Sequence, residues 1–240
     1  MIIWVRVETL AKYDAGDGDF RLKRRFEELS GEPCLVLHFS QARPEVVRPL
    51  APRALLLSGC GTWWRNFDVR DFHVFEDLVL GCPEVPTIGL CGSHQLLGFL
   101  FNHGFRHLER VADEPMRRLR PGEPQVGAVC ADGVAWFSEQ GFYPVYQVRP
   151  DPLFTGLPNP FVVRESHYCE VKILPRDFEL IATSQDCCNQ AMRHRSRLLY
   201  GTQFHPEAWQ DEYPHGRQVL ANFFRLAGLP TAPAAPGPQG

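Results

Sequence analysis

The chain is 240 residues long, 44% hydrophobic, and carries a formal net charge of -3 at pH 7. That length and apolar content suit one α/β domain with a sizeable core and demand no second domain. The near-neutral balance, with only short Arg clusters at 21–25 and 193–197, excludes a nucleic-acid footprint, and the longest apolar stretches are too short to span a bilayer.

In chain order, "MIIWVRVETL" begins as an apolar strand. "DFRLKRRFEELSG" then has helical spacing, with Phe20, Leu22, Phe26 and Leu29 as its apolar positions and Gly31 as its stop. "CLVLHF" and "RALLLSG" are short, continuously apolar runs, as expected of buried parallel strands; the second ends in a glycine-rich loop. "DFHVFEDLVL" reads as a helix, "VPTIGLCG" as a strand, and "SHQLLGFLFNHG" as a helix again. This alternation predicts a doubly wound α/β domain.

The middle of the chain has a different texture. "QVGAVCADG", "FYPVYQV" and "FVVRESHYCEV" are β-rich and separated by Pro and Gly turns, which predicts a small antiparallel section on the main sheet. "ELIATSQ" and "LLYGTQFH" resume short strands, and "HGRQVLANFFRLAGL" is a final helix with Val219, Leu220, Phe223, Phe224 and Leu226 near one face. Residues 1–228 are thus expected to form one domain. Residues 229–240, rich in Pro, Ala and Gly, are expected not to order themselves.

Eight cysteines, at Cys34, Cys60, Cys82, Cys91, Cys130, Cys169, Cys187 and Cys188, raise the question of disulfides. The chain is not small, residues 1–10 do not read as a signal peptide, and several cysteines sit inside apolar runs. Free thiols in a reducing, cytoplasmic setting are the simpler expectation. No CxxC pair provides a metal framework, and no metal or cofactor is expected.

Three segments carry chemistry. In "TIGLCGSHQLLG", Cys91 directly follows a buried strand and precedes a helix, a turn that lifts a nucleophile above the sheet edge and sets it near helical N–H groups. A structural cysteine closing a strand is the competing reading. His94 is a poor partner for it, because neighbours on a helix point about 100° apart. In "LLYGTQFHPE", His205 ends a strand and Glu207 stands two residues on, where it could hold the far imidazole nitrogen. In "LLLSGCGTW", the loop at Gly59 and Cys60 can present N–H groups to a ligand. It is not a P-loop, and no GxGxxG fingerprint is present.

Together these segments resemble the class I glutamine amidotransferase domain. Its nucleophile motif, G-x-C-x-G-x-Q, stands here as Gly89-Leu90-Cys91-Gly92-Ser93-His94-Gln95, and its histidine motif as Gly201-Thr202-Gln203-Phe204-His205-Pro206-Glu207. "ESHYCEV" resembles the Ser-His segment of several members, the amidotransferase part of GMP synthase among them. The likeness runs from about residue 52 to 228.

The resemblance implies a flavodoxin-like, open, mostly parallel sheet with helices on both faces. It implies Cys91, His205 and Glu207 as catalytic residues, with an oxyanion hole at Gly59, Cys60 and Gly92. Gln95, Ser166 and His167 would bind substrate. The implied reaction is hydrolysis of glutamine to glutamate and ammonia through a Cys91 thioester, with ammonia passed to a partner synthase. A γ-glutamyl conjugate hydrolase and a catalytically degenerate binding or regulatory module remain open. Two departures bear on competence: Ser93 replaces the elbow glycine, and Cys60 replaces a glycine of the oxyanion loop.

Overall fold

The structure is a computed structural model that describes residues 1–16, 19–125, 130–131 and 133–231. The expected strand "QVGAVCADG" falls largely outside the described residues, as does the tail from residue 232 on. Eleven strands are described: β1 (Ile2–Arg6), β2 (Cys34–His38), β3 (Ala54–Leu57), β4 (Thr87–Leu90), β5 (Cys130–Ala131), β6 (Val134–Ala135), β7 (Glu139–Gln147), β8 (Phe161–His167), β9 (Phe178–Thr183), β10 (Ala191–His194) and β11 (Leu199–Thr202). The helices are α1 (Leu10–Ala15), α2 (Asp19–Ser30), α3 (Pro44–Val47), α4 (His73–Gly81), α5 (Gly92–Asn102) and α6 (His215–Leu226).

Nine of the strands form one sheet in the order β2-β1-β3-β4-β11-β10-β9-β7-β8; β5 and β6 pair separately. The first five are mutually parallel, in the 2-1-3-4-5 arrangement of the flavodoxin-like fold. From β11 onward every pairing is antiparallel, so the section expected from the middle of the chain continues the same sheet.

Why the early strands read as unbroken apolar runs is visible in β1. Ile2 and Trp4 join the core beneath α2 and α6, with Phe26, Leu29, Val219, Leu220 and Phe223. Ile3 and Val5 join the opposite core beneath α4 and α5, with Leu78, Val79, Leu96 and Leu97. Successive side chains point to opposite faces, and both faces are covered, so no position is left for a polar residue.

Two details depart from the sequence pattern. Phe20 is 81% exposed. It lies six residues before Phe26, which rotates it roughly 120° off the buried face of α2. Leu229, assigned to the tail by composition, is buried and donates its N–H to the Phe224 carbonyl at 2.8 Å, closing α6 against the core. Among the described residues no helix is long and apolar enough to cross a membrane.

Candidate active site

The carboxyl ends of the parallel strands converge, as ligand sites do in open α/β sheets. Immediately after β4, Cys91 has φ 47° and ψ -103°. A non-glycine residue held there is strained at a cost of order 1–3 kcal/mol, and such strain is characteristic of a nucleophile at a sharp strand-to-helix turn. The turn is held on both sides. Cys91 N–H donates to the Thr202 carbonyl at 2.7 Å, and the Cys91 carbonyl accepts from Gln95 N–H at 3.1 Å. Gly92 has to be glycine, because a Cβ there would lie 2.7 Å from the Cys60 nitrogen.

Ser93 sits inside α5 and is not among the residues with positive φ, so it carries no backbone strain. Its buried hydroxyl donates to the Ser58 carbonyl at 2.5 Å and ties the helix to the loop after β3, a link that glycine cannot make. Cys60 likewise lacks a positive φ, so the glycine of the motif is dispensable there. A Ser93→Gly variant is therefore expected to lose about 1–2 kcal/mol of stability and to gain no activity. Urea titration beside an activity assay checks both, and a large gain in turnover would mark Ser93 as a lesion.

His205 follows β11. Its N–H donates to the Arg164 carbonyl of β8 at 2.8 Å, and Nδ1 lies 2.7 Å from Glu207 Oε1. That bond leaves Nε2 for Cys91. Burial alone would pull the imidazole pKa down. A Cys91 thiolate, Glu207 and hydrogen bonds to both outweigh it and hold the ring well above its usual value. Gly59 gives the ring its room: a Cβ there would lie 3.0 Å from His205 Cε1 and 3.4 Å from Cys91 Cβ. The other candidate base is disqualified by its surroundings. His94 is fully buried, bonded through Nε2 to the Asn189 carbonyl at 2.9 Å, and pushed down to about 3 by desolvation.

The loop after β3 is clamped by a residue outside all the motifs. Buried Glu8, just beyond β1, accepts from Gly61 N–H and Thr9 N–H, each at 2.9 Å, and from the Thr62 hydroxyl. Lys12 Nζ lies 3.6 Å away. Burial would raise the Glu8 carboxyl pKa, but these partners together hold it below the usual range. With Gly61 occupied, the peptide N–H groups of Cys60 and Gly92 have no partner among the described residues and lie beside one another. The only available signal for Glu8 was its place at the carboxyl end of a parallel strand.

The end of strand β8 borders the site. The Ser166 carbonyl is 3.9 Å from Cys91 Sγ, and the exposed Ser166 hydroxyl donates to Gln140 Oε1 at 3.1 Å. The His167 side chain is not free to meet a ligand. It is buried, with Nε2 2.8 Å from Glu139 and 3.2 Å from Glu165, and Nδ1–H donating to the Cys169 carbonyl at 2.9 Å. Desolvation works against its charge, yet the two carboxylates push it up to about 10, while burial pushes Glu165 up to about 6. Gln95 is also committed: Oε1 accepts from the Trp64 indole, and Nε2 donates to Cys169 and Gln203. Cys60, Trp64, Cys91, Gln95, Ser166 and His167 line one cavity of about 30 Å³. A larger concavity beside α3 and α4, lined by Arg43, Glu45 and Asp77, contains no nucleophile.

The glutamine amidotransferase class-I family model matches residues 76–227. The chain is 27% identical over 209 residues to a glutamine-hydrolysing GMP synthase subunit of Methanococcus maripaludis, covering 87% of this chain and 91% of that one. It is 33% identical over 145 residues to the subunit of the same name from Pyrococcus abyssi, covering 60% and 62%. In fold it is similar to a putative GMP synthase subunit from Thermoplasma acidophilum, with a TM-score of 0.67, 22% identity and 95% of both chains covered. It is likewise similar in fold to the glutaminase domain of Trypanosoma brucei CTPS, with a TM-score of 0.65, 16% identity and 95% and 94% covered. The match over residues 76–227 contains both the strained cysteine and the histidine-glutamate pair: the chain belongs to the class-I glutamine amidotransferase family.

Proposed function

We propose that this enzyme hydrolyses the side-chain amide of glutamine and delivers the ammonia to a partner synthase; its relatives are named as glutamine-hydrolysing subunits of GMP synthase. The observation that carries the reading is the strained Cys91 at the strand end with His205, oriented by Glu207 at 2.7 Å, against it. His205 Nε2 takes the thiol proton, and the thiolate attacks the amide carbon. The N–H groups of Cys60 and Gly92, with the Gly59 loop behind them, hold the oxyanion. The imidazolium then protonates departing ammonia, leaving a thioester. Water, deprotonated by His205, releases glutamate. Gln95, Ser166 and His167 border the substrate, His167 through its backbone because its ring is engaged.

The cavity beside Cys91 is narrow, which favours a free amino acid over a bulky γ-glutamyl conjugate. Cys34, Cys60, Cys82, Cys91, Cys169, Cys187 and Cys188 are free, in keeping with a cytoplasmic setting. Ammonia release from glutamine, run beside a panel of γ-glutamyl amides, tests the reading. Preference for a conjugate would overturn it. Brief treatment with a glutamine-analogue electrophile is expected to label Cys91. Burial drives the Cys60 thiol up to about 12 and the Cys187 thiol well up, so predominant label at either would remove Cys91 as nucleophile.

A further inference from the structure

Gln203, within the histidine motif, has no part in the scheme above. It is fully buried, and its Nε2 lies 3.6 Å from Cys91 Sγ. Which end of its amide faces the sulfur follows from chemistry alone. The Trp64 indole N–H can only donate, so the Gln95 atom 3.1 Å away is its oxygen. The Gln95 nitrogen then donates to the Cys169 carbonyl, which can only accept, at 2.9 Å, and to Gln203 at 3.2 Å. The Gln203 atom receiving that bond is its oxygen, which leaves its NH₂ toward Cys91. Its backbone N–H, donating to the Gln190 carbonyl at 2.8 Å, anchors the residue.

We infer that Gln203 is a further catalytic residue, an amide donor held on the Cys91 sulfur to stabilise the thiolate, with Trp64 and Gln95 as the positioning residues that fix its orientation. The inference rests on Cys91 being the nucleophile. The thiolate accepts from two sides, His205 and Gln203. When sulfur bonds to the substrate carbon its charge is spent, and the Gln203 contact weakens as the thioester forms.

The titratable groups around Cys91 permit a clean measurement. Burial pushes the thiols of Cys60 and Cys169 far up, so neither ionises near neutrality. His205, Glu207, His167 and the buried Glu165 of β8 remain, and all four are present in every variant below.

The test is the rate of Cys91 alkylation by iodoacetamide between pH 5 and 9, in the whole chain. Gln203→Met keeps the shape and removes the donor, and is expected to move the alkylation midpoint up by about one pH unit. Gln203→Glu, equal in shape, places a carboxylate against the sulfur and is expected to move it at least as far; it gives the same reading if the methionine variant does not fold. Trp64→Phe removes one of the two anchors of the Gln95 amide, the Cys169 carbonyl remaining, and is expected to move the midpoint in the same direction by less. Folded Gln203 variants with the wild-type midpoint would overturn the inference. Failure of the underlying reading looks different: the wild-type chain would then not be labelled at Cys91 by a glutamine-analogue electrophile.

Discussion

Replacing His205 by alanine is expected to lower kcat for glutamine hydrolysis by roughly 10²–10⁴-fold, the range of a positioned general acid-base. Two steps lose their proton carrier at once: thiol deprotonation and protonation of departing ammonia. Glu207→Ala is expected to cost less, because it loosens the ring's Nδ1 anchor at 2.7 Å but leaves both reacting groups in place. The Arg164 carbonyl still holds the backbone N–H of position 205 in either variant. Ammonia release measured on folded variants decides the order. A larger loss in Glu207→Ala than in His205→Ala would mean that the base has been misassigned.

Replacing His167 by leucine is expected to destabilise the fold by about 3–5 kcal/mol, read as a fall in the urea midpoint. The substitution leaves Glu139 and Glu165 buried together without the cation between them. Part of Glu139 remains satisfied, since Gln190 and Ser184 donate to it at 3.0 and 3.1 Å, but the Glu165 oxygens have no hydrogen bond of their own. The same triad predicts a pH dependence. A histidine raised to about 10 contributes stability that is fully present below its unfolded value of about 6.5 and is lost as pH rises through about 10. Glu165, raised to about 6, acts with the same sign: its protonated form favours the fold, and that support is lost as pH rises through 6. The urea midpoint of the wild-type chain is therefore expected to fall between pH 7 and 10 more steeply than that of a variant with Gln at 139, 165 and 167. Parallel profiles would show that the triad does not carry the charge assigned to it.

How much of this was legible beforehand depends on whether the information is local. Cys91 could be read because a strand, a turn and a helix in twelve consecutive residues define the elbow. The pair His205 and Glu207 could be read for the same reason. Glu8 could not, because the loop it clamps, at Gly61 and Thr62, lies more than fifty residues on, and a place at a strand end does not by itself announce that contact. The engagement of the His167 ring was not legible, because Glu165 and His167 occupy inward positions of β8, where alternation leads one to expect apolar side chains. β10 was missed because four residues, Ala191–His194, are too few to show a period.

Strand β11 lies between β4 and β10, although more than a hundred residues separate it in the chain from β4. During synthesis the ribosome must deliver residues up to 202 before β4 acquires its second neighbour. Until then the nascent half-sheet ends in a bare apolar edge, open to pairing with another chain. The elbow at Cys91, which needs the Thr202 carbonyl to hold it, has no anchor over the same interval. No N-terminal fragment that stops short of β11 holds Cys91 and His205 together: the two meet when the sheet closes.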